Sequence, residues 1–220
     1  MIREHRVHLA DVLVVVATLS IAVAVALPNF ESARLSADEE AAVGTLHNVF
    51  QAQRAFRQLG KVDVDRDGRG EFGGFVELTA AGKGRMVAPL PLQLLLDSLA
   101  RVNSCGEVTR IGYRFCIYLP DAKGNGVAEP PNGFTAESVD PGLAASGWCA
   151  YAWPMRYSLS GEKTFFIDHH NVLLMTESRA YSGLGKAPAP FAAYRIGDGF
   201  FGEPAANDVG NDGRVWRKVE

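Results

Sequence analysis

The hydrophobic pattern changes character twice along the chain. Val12 to Leu27 (VLVVVATLSIAVAVAL) carries no charge and, with Leu9 and Ala10, approaches the ~20 residues that cross a bilayer as a helix. After Pro28 the apolar positions spread out. Phe30, Ala33, Ala37, Ala41, Leu46, Val49, Phe50 and Phe56 recur at roughly helical spacing, and Arg34, Asp38, Glu39, Arg54 and Arg57 fill other positions. The pattern predicts one long helix with a kink at Pro28, ending at Leu59 before the terminator Gly60. Beyond Gly60 the chain turns to short apolar runs between Gly-, Pro- and Asn-rich segments. Leu90–Val102 predicts a short amphipathic helix. Ile111–Leu119, Trp148–Trp153, Thr164–Ile167, Val172–Thr176, Phe191–Ile196 and Val215–Val219 predict strands of an antiparallel sheet.

The expected fold is therefore α+β: a long N-terminal helix, transmembrane in its first half and amphipathic in its second, packed on a C-terminal antiparallel β-sheet domain. The divisions are a short basic leader-like segment (1–6), the long helix (7–59) with its transmembrane part at 9–27, and a β-rich domain (60–220). Arg3 and Arg6 precede the apolar run, which predicts a single-pass inner-membrane protein with its N-terminus in the cytoplasm and the sheet domain outside. No small-residue cleavage signal ends the run, which argues against a removed signal peptide.

The run from Asp11 through Ala26–Phe30 (ALPNF) and Ala33–Leu46 resembles the N-terminal helix of type IV pilins and type II secretion pseudopilins. In that family a basic leader ends in glycine, a glutamate occupies the fifth mature position, and a proline follows seventeen residues later. The same spacing separates Asp11 from Pro28 and makes Val7 the first mature residue. The chain departs from the family at Arg6, where the leader peptidase requires glycine, at Val7, and at Asp11, which is one methylene shorter than glutamate. The resemblance implies a non-enzymatic structural subunit whose partners are other pilin-like subunits, the inner membrane and a prepilin peptidase. It also implies N-methylation of the new N-terminus. Asp11 would set axial register by neutralising the terminal amine of a neighbour, with Pro28 as the second assembly residue. The departures at Arg6 and Val7 keep a second reading open: an uncleaved anchored binding module that does not polymerise.

Composition adds limits. With 47% hydrophobic and 21% charged residues the chain is a folding one, and a net charge of −3 without a basic cluster gives no support for a nucleic-acid partner. Cys105, Cys116 and Cys149 form no CxxC or zinc spacing. Outside the cytoplasm one disulfide can form in three ways. Cys116 with Cys149 is favoured because both lie in aromatic, strand-like runs.

One loop carries candidate metal chemistry. Asp63, Asp65 and Asp67 alternate before Gly68, and Glu71 follows, as in the first half of a calcium loop. Gly74 stands where the bidentate acid belongs, and Glu77 is the nearest later substitute. The competing reading is a solvated turn in which Gly68 and Gly70 supply positive φ. Asp121–Glu129 and Asp208–Gly213 read as plain loops, and Asp168-His169-His170-Asn171 reads as a hairpin turn rather than a catalytic cluster.

Overall fold

The computed structural model describes residues 9–88 and 90–219; in the first helix it describes only the backbone at positions 11 and 21–29. Helix α1 spans Leu9–Leu59, and Gly60 closes it at φ 58°. Two further helices are single turns, α2 (Phe75–Leu78) and α3 (Pro141–Ala144). Asp140 caps α3 by accepting the Leu143 N–H at 2.9 Å, and Pro141 follows as its first residue.

The organising element is an eight-stranded antiparallel sheet. Its strands are β1 (Val108–Arg110), β2 (Tyr113–Pro120), β3 (Gly126–Ala128), β4 (Cys149–Pro154), β5 (Lys163–Asp168), β6 (Leu173–Glu177), β7 (Asp208–Val209) and β8 (Val215–Lys218). The order is β1-β2-β4-β5-β6-β8-β7, and β3 pairs with the far end of β2. Alternation divides the side chains between two faces. Phe115 and Ile117 of β2, Ala150 and Ala152 of β4, and Phe165 and Ile167 of β5 share a core with Leu46, Val49, Phe50 and Phe56 of α1. On the other face Tyr118, Tyr151, Phe166 and Trp216 pack under the segment 178–214, which contributes Tyr181, Tyr194 and Phe200. The rings meet at 5.1 Å (Tyr151–Phe166) and, edge to face, at 5.3 Å (Phe166–Tyr194). Both faces of the central strands are covered, which is why they read as unbroken apolar runs.

The expected fold class needs correction. Among the described residues no helix is long and apolar enough to cross a membrane, which gives no support to the transmembrane half expected at 9–27; its positions 11 and 21–27 lie outside the described side chains. The apolar stretch with described side chains, residues 12–20, extends about 14 Å against a hydrocarbon core of ~30 Å. Beyond Phe30 the helix carries Glu31, Arg34, Asp38, Glu39 and Glu40. The fold is a two-faced antiparallel sheet with helices added to it.

Two predicted elements are absent. Leu90–Val102 forms only a 3-10 turn at Asp97–Leu99, because the Leu94 and Leu95 N–H groups donate to Leu78 O at 2.9 and 3.0 Å instead of continuing a helix. Phe191–Ile196 is a set of turns, with Ala192 N–H bonded to Ala189 O and Tyr194 N–H to Phe191 O. It lies across the sheet as part of its cover.

Candidate functional site

Three places among the described residues carry the site's candidate chemistry or exposed apolar surface. The first is the N-terminal part of α1. Leu9, Val12, Leu13, Val14, Val15, Val16 and Leu19 are all exposed, as is Phe30 at 72%. The buried stripe of the helix begins near Glu39, whose carboxylate holds Lys163 Nζ at 2.7 Å and the Glu162 N–H at 3.0 Å. From there Ala42, Leu46, Val49 and Phe56 are buried. One helix thus has a packed half and an unpartnered arm. Thr18 and Ser20 turn their hydroxyls back onto the carbonyls of Val15 and Val16 at 2.9 and 2.8 Å, so the arm offers an apolar surface. The backbone of α1 continues through positions 11 and 28, while the side chains of Asp11 and Pro28 lie outside the described residues. Arg6 and Val7 lie outside them altogether.

The second is the acidic loop after α1. Asp63, Asp65 and Asp67 do converge: one oxygen of each lies within 4.8 Å of the others. Those oxygens also serve the loop's own backbone. Asp63 accepts the N–H groups of Asp67 and Gly68, both at 3.1 Å, and Asp67 accepts that of Arg69 at 2.7 Å. Glu71 does not join them. Its side chain turns inward, accepting the Val64 N–H at 2.8 Å through Oε1 and Arg85 Nη1 at 2.6 Å through Oε2. Glu77 is equally committed to Arg85. The loop therefore supplies three exposed or half-buried carboxylates without the bidentate fourth that a calcium loop uses. Its positive φ values fall on Arg66 and Gly68 rather than on Gly70. Gly70 is required for a different reason: a Cβ there would sit 2.0 Å from Arg57 O, where the loop crosses the end of α1.

The third is a buried polar centre that sequence reading passed over. Arg85 is fully enclosed. It binds Glu71 through Nη1, Glu77 through Nε and Nη2 at 3.1 and 2.9 Å, and Phe72 O through Nη2 at 2.5 Å. Glu129, on the segment after β3, accepts the N–H groups of Phe75 and Val76 at 2.5 and 2.9 Å. Gln53 of α1 ties the same loop down, exchanging two hydrogen bonds with the Gly73 backbone at 2.7 and 2.8 Å. Burial pushes the Glu129 carboxyl up to about 8; the amide bonds and Arg85 oppose the rise and Glu77 adds to it. Burial likewise raises Glu71 above the usual carboxylate range, despite Val64 and Arg85. The spacing around Glu129 offered no signal, because its partners lie more than fifty positions upstream.

The disulfide expected between Cys116 and Cys149 is not formed: both are buried free thiols, and Cys105 is an exposed one. The two runs are neighbouring strands, β2 and β4, in a register that offsets the thiols. Cys116 faces Tyr151, and Cys149 faces Tyr118. A diagonal of that kind holds the backbones ~7–8 Å apart, too far for an S–S bond. The Asp168–Asn171 segment is a hairpin turn between β5 and β6, with Asp168 Oδ1 accepting the His170 and Val172 N–H groups at 3.0 and 2.9 Å. Burial holds the His169 imidazole down at about 4, so it is neutral at physiological pH.

Comparison with protein-family models, curated proteins and solved structures finds no match to this chain. The functional reading therefore rests on the residues and their geometry.

Proposed function

We propose that the protein is a pilin-like structural subunit, of a type IV pilus or a type II secretion pseudopilus, that assembles with further copies by packing its N-terminal helical arms together. The observation that carries this is the division of α1. Its second half is buried against the sheet, and its first half presents at least seven large apolar side chains to solvent. An apolar surface of that extent on a folded protein marks an interaction site. Side-by-side arms would bury it in ridges-into-grooves contacts. In this reading assembly occurs at the inner membrane, with the sheet domain outside the cytoplasm. Asp11, the only charged residue from Leu9 to Phe30, would fix the axial register.

The test uses the full chain purified in detergent. On detergent removal the wild type should form filaments visible by electron microscopy. Val15→Asp and Asp11→Ala should each stay dispersed, with unchanged near-UV circular dichroism from the tryptophan-rich sheet. Mass spectrometry of the filament subunit should give a chain beginning at Val7. A wild-type chain that stays monomeric, with its leader intact, would overturn the proposal in favour of an anchored binding module.

A further inference from the structure

A surface cavity of 480 Å³ lies between α1 and the leucine-rich segment that was expected to be helical. Leu94, Leu95, Leu96 and Leu99 line one side. Leu95 and Leu99 are held in the core, whereas Leu96 is half exposed. Because the Leu94 and Leu95 N–H groups bond to Leu78 O, the segment cannot wind into a helix that would turn all its leucines inward. On the α1 side Thr45, Asn48, Ala52 and Ala55 recur at three- and four-residue steps, and none is large. The Thr45 hydroxyl is spent on Ala41 O at 2.7 Å. A second helix can therefore approach α1 closely along this flank.

Only one residue lining the cavity is charged, Arg110 at the end of β1. It takes part in none of the ion pairs among the described residues, whereas the nearby Arg114 is committed to Glu107 at 3.1 Å. Arg110 marks the end of the cavity nearest the arm. It pairs with Tyr113 across the turn at Gly112, and a Cβ on Gly112 would fall 2.8 Å from Asp38 Oδ2. The arm has the complementary make-up: from Leu9 to Phe30 its sequence holds one charge, the acid Asp11. Residues 12–20 extend ~14 Å, and the flank from Thr45 to Ala55 extends ~15 Å. The hollow on the other flank of α1 suits the arm less, since Glu39, Glu40 and Lys163 line it.

We propose that this cavity seats the N-terminal arm of a second copy of the chain, with the second copy's Asp11 paired to Arg110. The inference rests on the reading that copies assemble through their arms, and it names the surface that receives each arm. Since Arg110 stands at the arm-side end, an Asp11 placed there sends the following residues towards Ala55. The incoming arm then runs parallel to α1, displaced along it by ~50 Å. A head-to-tail contact of this kind is not closed by two copies, so it repeats into a filament. Apolar burial against the leucines supplies the attraction. The ion pair adds little net energy, because both charges lose water, but a slipped register would leave each charge against apolar side chains. Register is therefore what the pair fixes.

The experiment is assembly of the full chain on detergent removal, read by electron microscopy and by the fraction that sediments. Arg110→Asp and Asp11→Arg each set like charges together and should each cut the sedimented fraction about tenfold or more. Combining the two should restore it, and near-UV circular dichroism of each variant should match wild type. A second measurement leaves Asp11 and Arg110 in place. In a chain carrying Cys105→Ser, Val14→Cys and Asn48→Cys, mild oxidation of the filaments should give disulfide-linked ladders longer than dimers. A wild type that forms no filaments would overturn the assembly reading and this inference together. Wild-type filaments with undiminished assembly of Arg110→Asp, no recovery in the double variant, or oxidised chains that stop at dimers would each overturn this inference alone.

Discussion

Asp63, Asp65 and Asp67 gather three carboxylates at the surface; Glu71, Glu77 and the sequence-distant Glu129 gather three in the interior. The surface set needs no counter-ion, because water screens it and the loop's own amides satisfy its oxygens. The interior set has no water, so its charge must be matched by a guanidinium, by amide N–H groups or by a proton. Glu71 joins the two: one oxygen holds the acidic loop through Val64, the other holds Arg85. Equal numbers of acids thus do opposite work. The outer set shapes a turn, and the inner set locks a loop layer to the sheet.

The largest expected effect tests the inner set. Arg85→Met should destabilise the protein by about 3–5 kcal/mol, since it leaves Glu71 and Glu77 buried without a cationic partner. Chemical denaturation at pH 7 measures this, and a loss under 1 kcal/mol would mean that Arg85 does not hold the two carboxylates in solution. A smaller effect belongs to the outer set. Asp63→Ala removes the acceptor for two exposed amides and should cost about 1 kcal/mol by the same method. A cost as large as that of Arg85→Met would erase the contrast. The smallest effect is that of calcium. With Glu71 turned inward, millimolar calcium should raise Tm by no more than about 1 °C. A rise of several degrees, abolished by Asp65→Asn, would show that the outer carboxylates do share an ion.

The centre of the sheet is legible in the sequence, since β2, β4, β5, β6 and β8 are dense aromatic or aliphatic runs bounded by turn residues. Strands β1, β3 and β7 have only two or three residues each, too few for an alternation to register. The leucines between 90 and 102 have helical spacing, but tertiary bonds from Leu94 and Leu95 to Leu78 O take the backbone elsewhere. At the sites the same divide holds. Alternating aspartates announce a turn, whereas Glu71 has the same sequence spacing from that turn whether it points outward or in. Arg85 and Glu129 are an ordinary basic residue and an ordinary loop acid until the chain closes. The neighbouring strands of Cys116 and Cys149 could be guessed, but a register two residues off decides against a bond.

The short border strands have a consequence for how copies of this chain can meet. On one border of the sheet β2 is flanked by Val108–Arg110 and Gly126–Ala128, and the other border ends at Asp208–Val209. Strands this brief give an incoming chain little backbone to pair with, so growth by adding strand to strand, the route to amyloid, is discouraged. A molecule that shields its sheet borders while leaving one helix uncovered limits the ways in which it can stick. In the proposed assembly this leaves helix contacts as the route by which copies join.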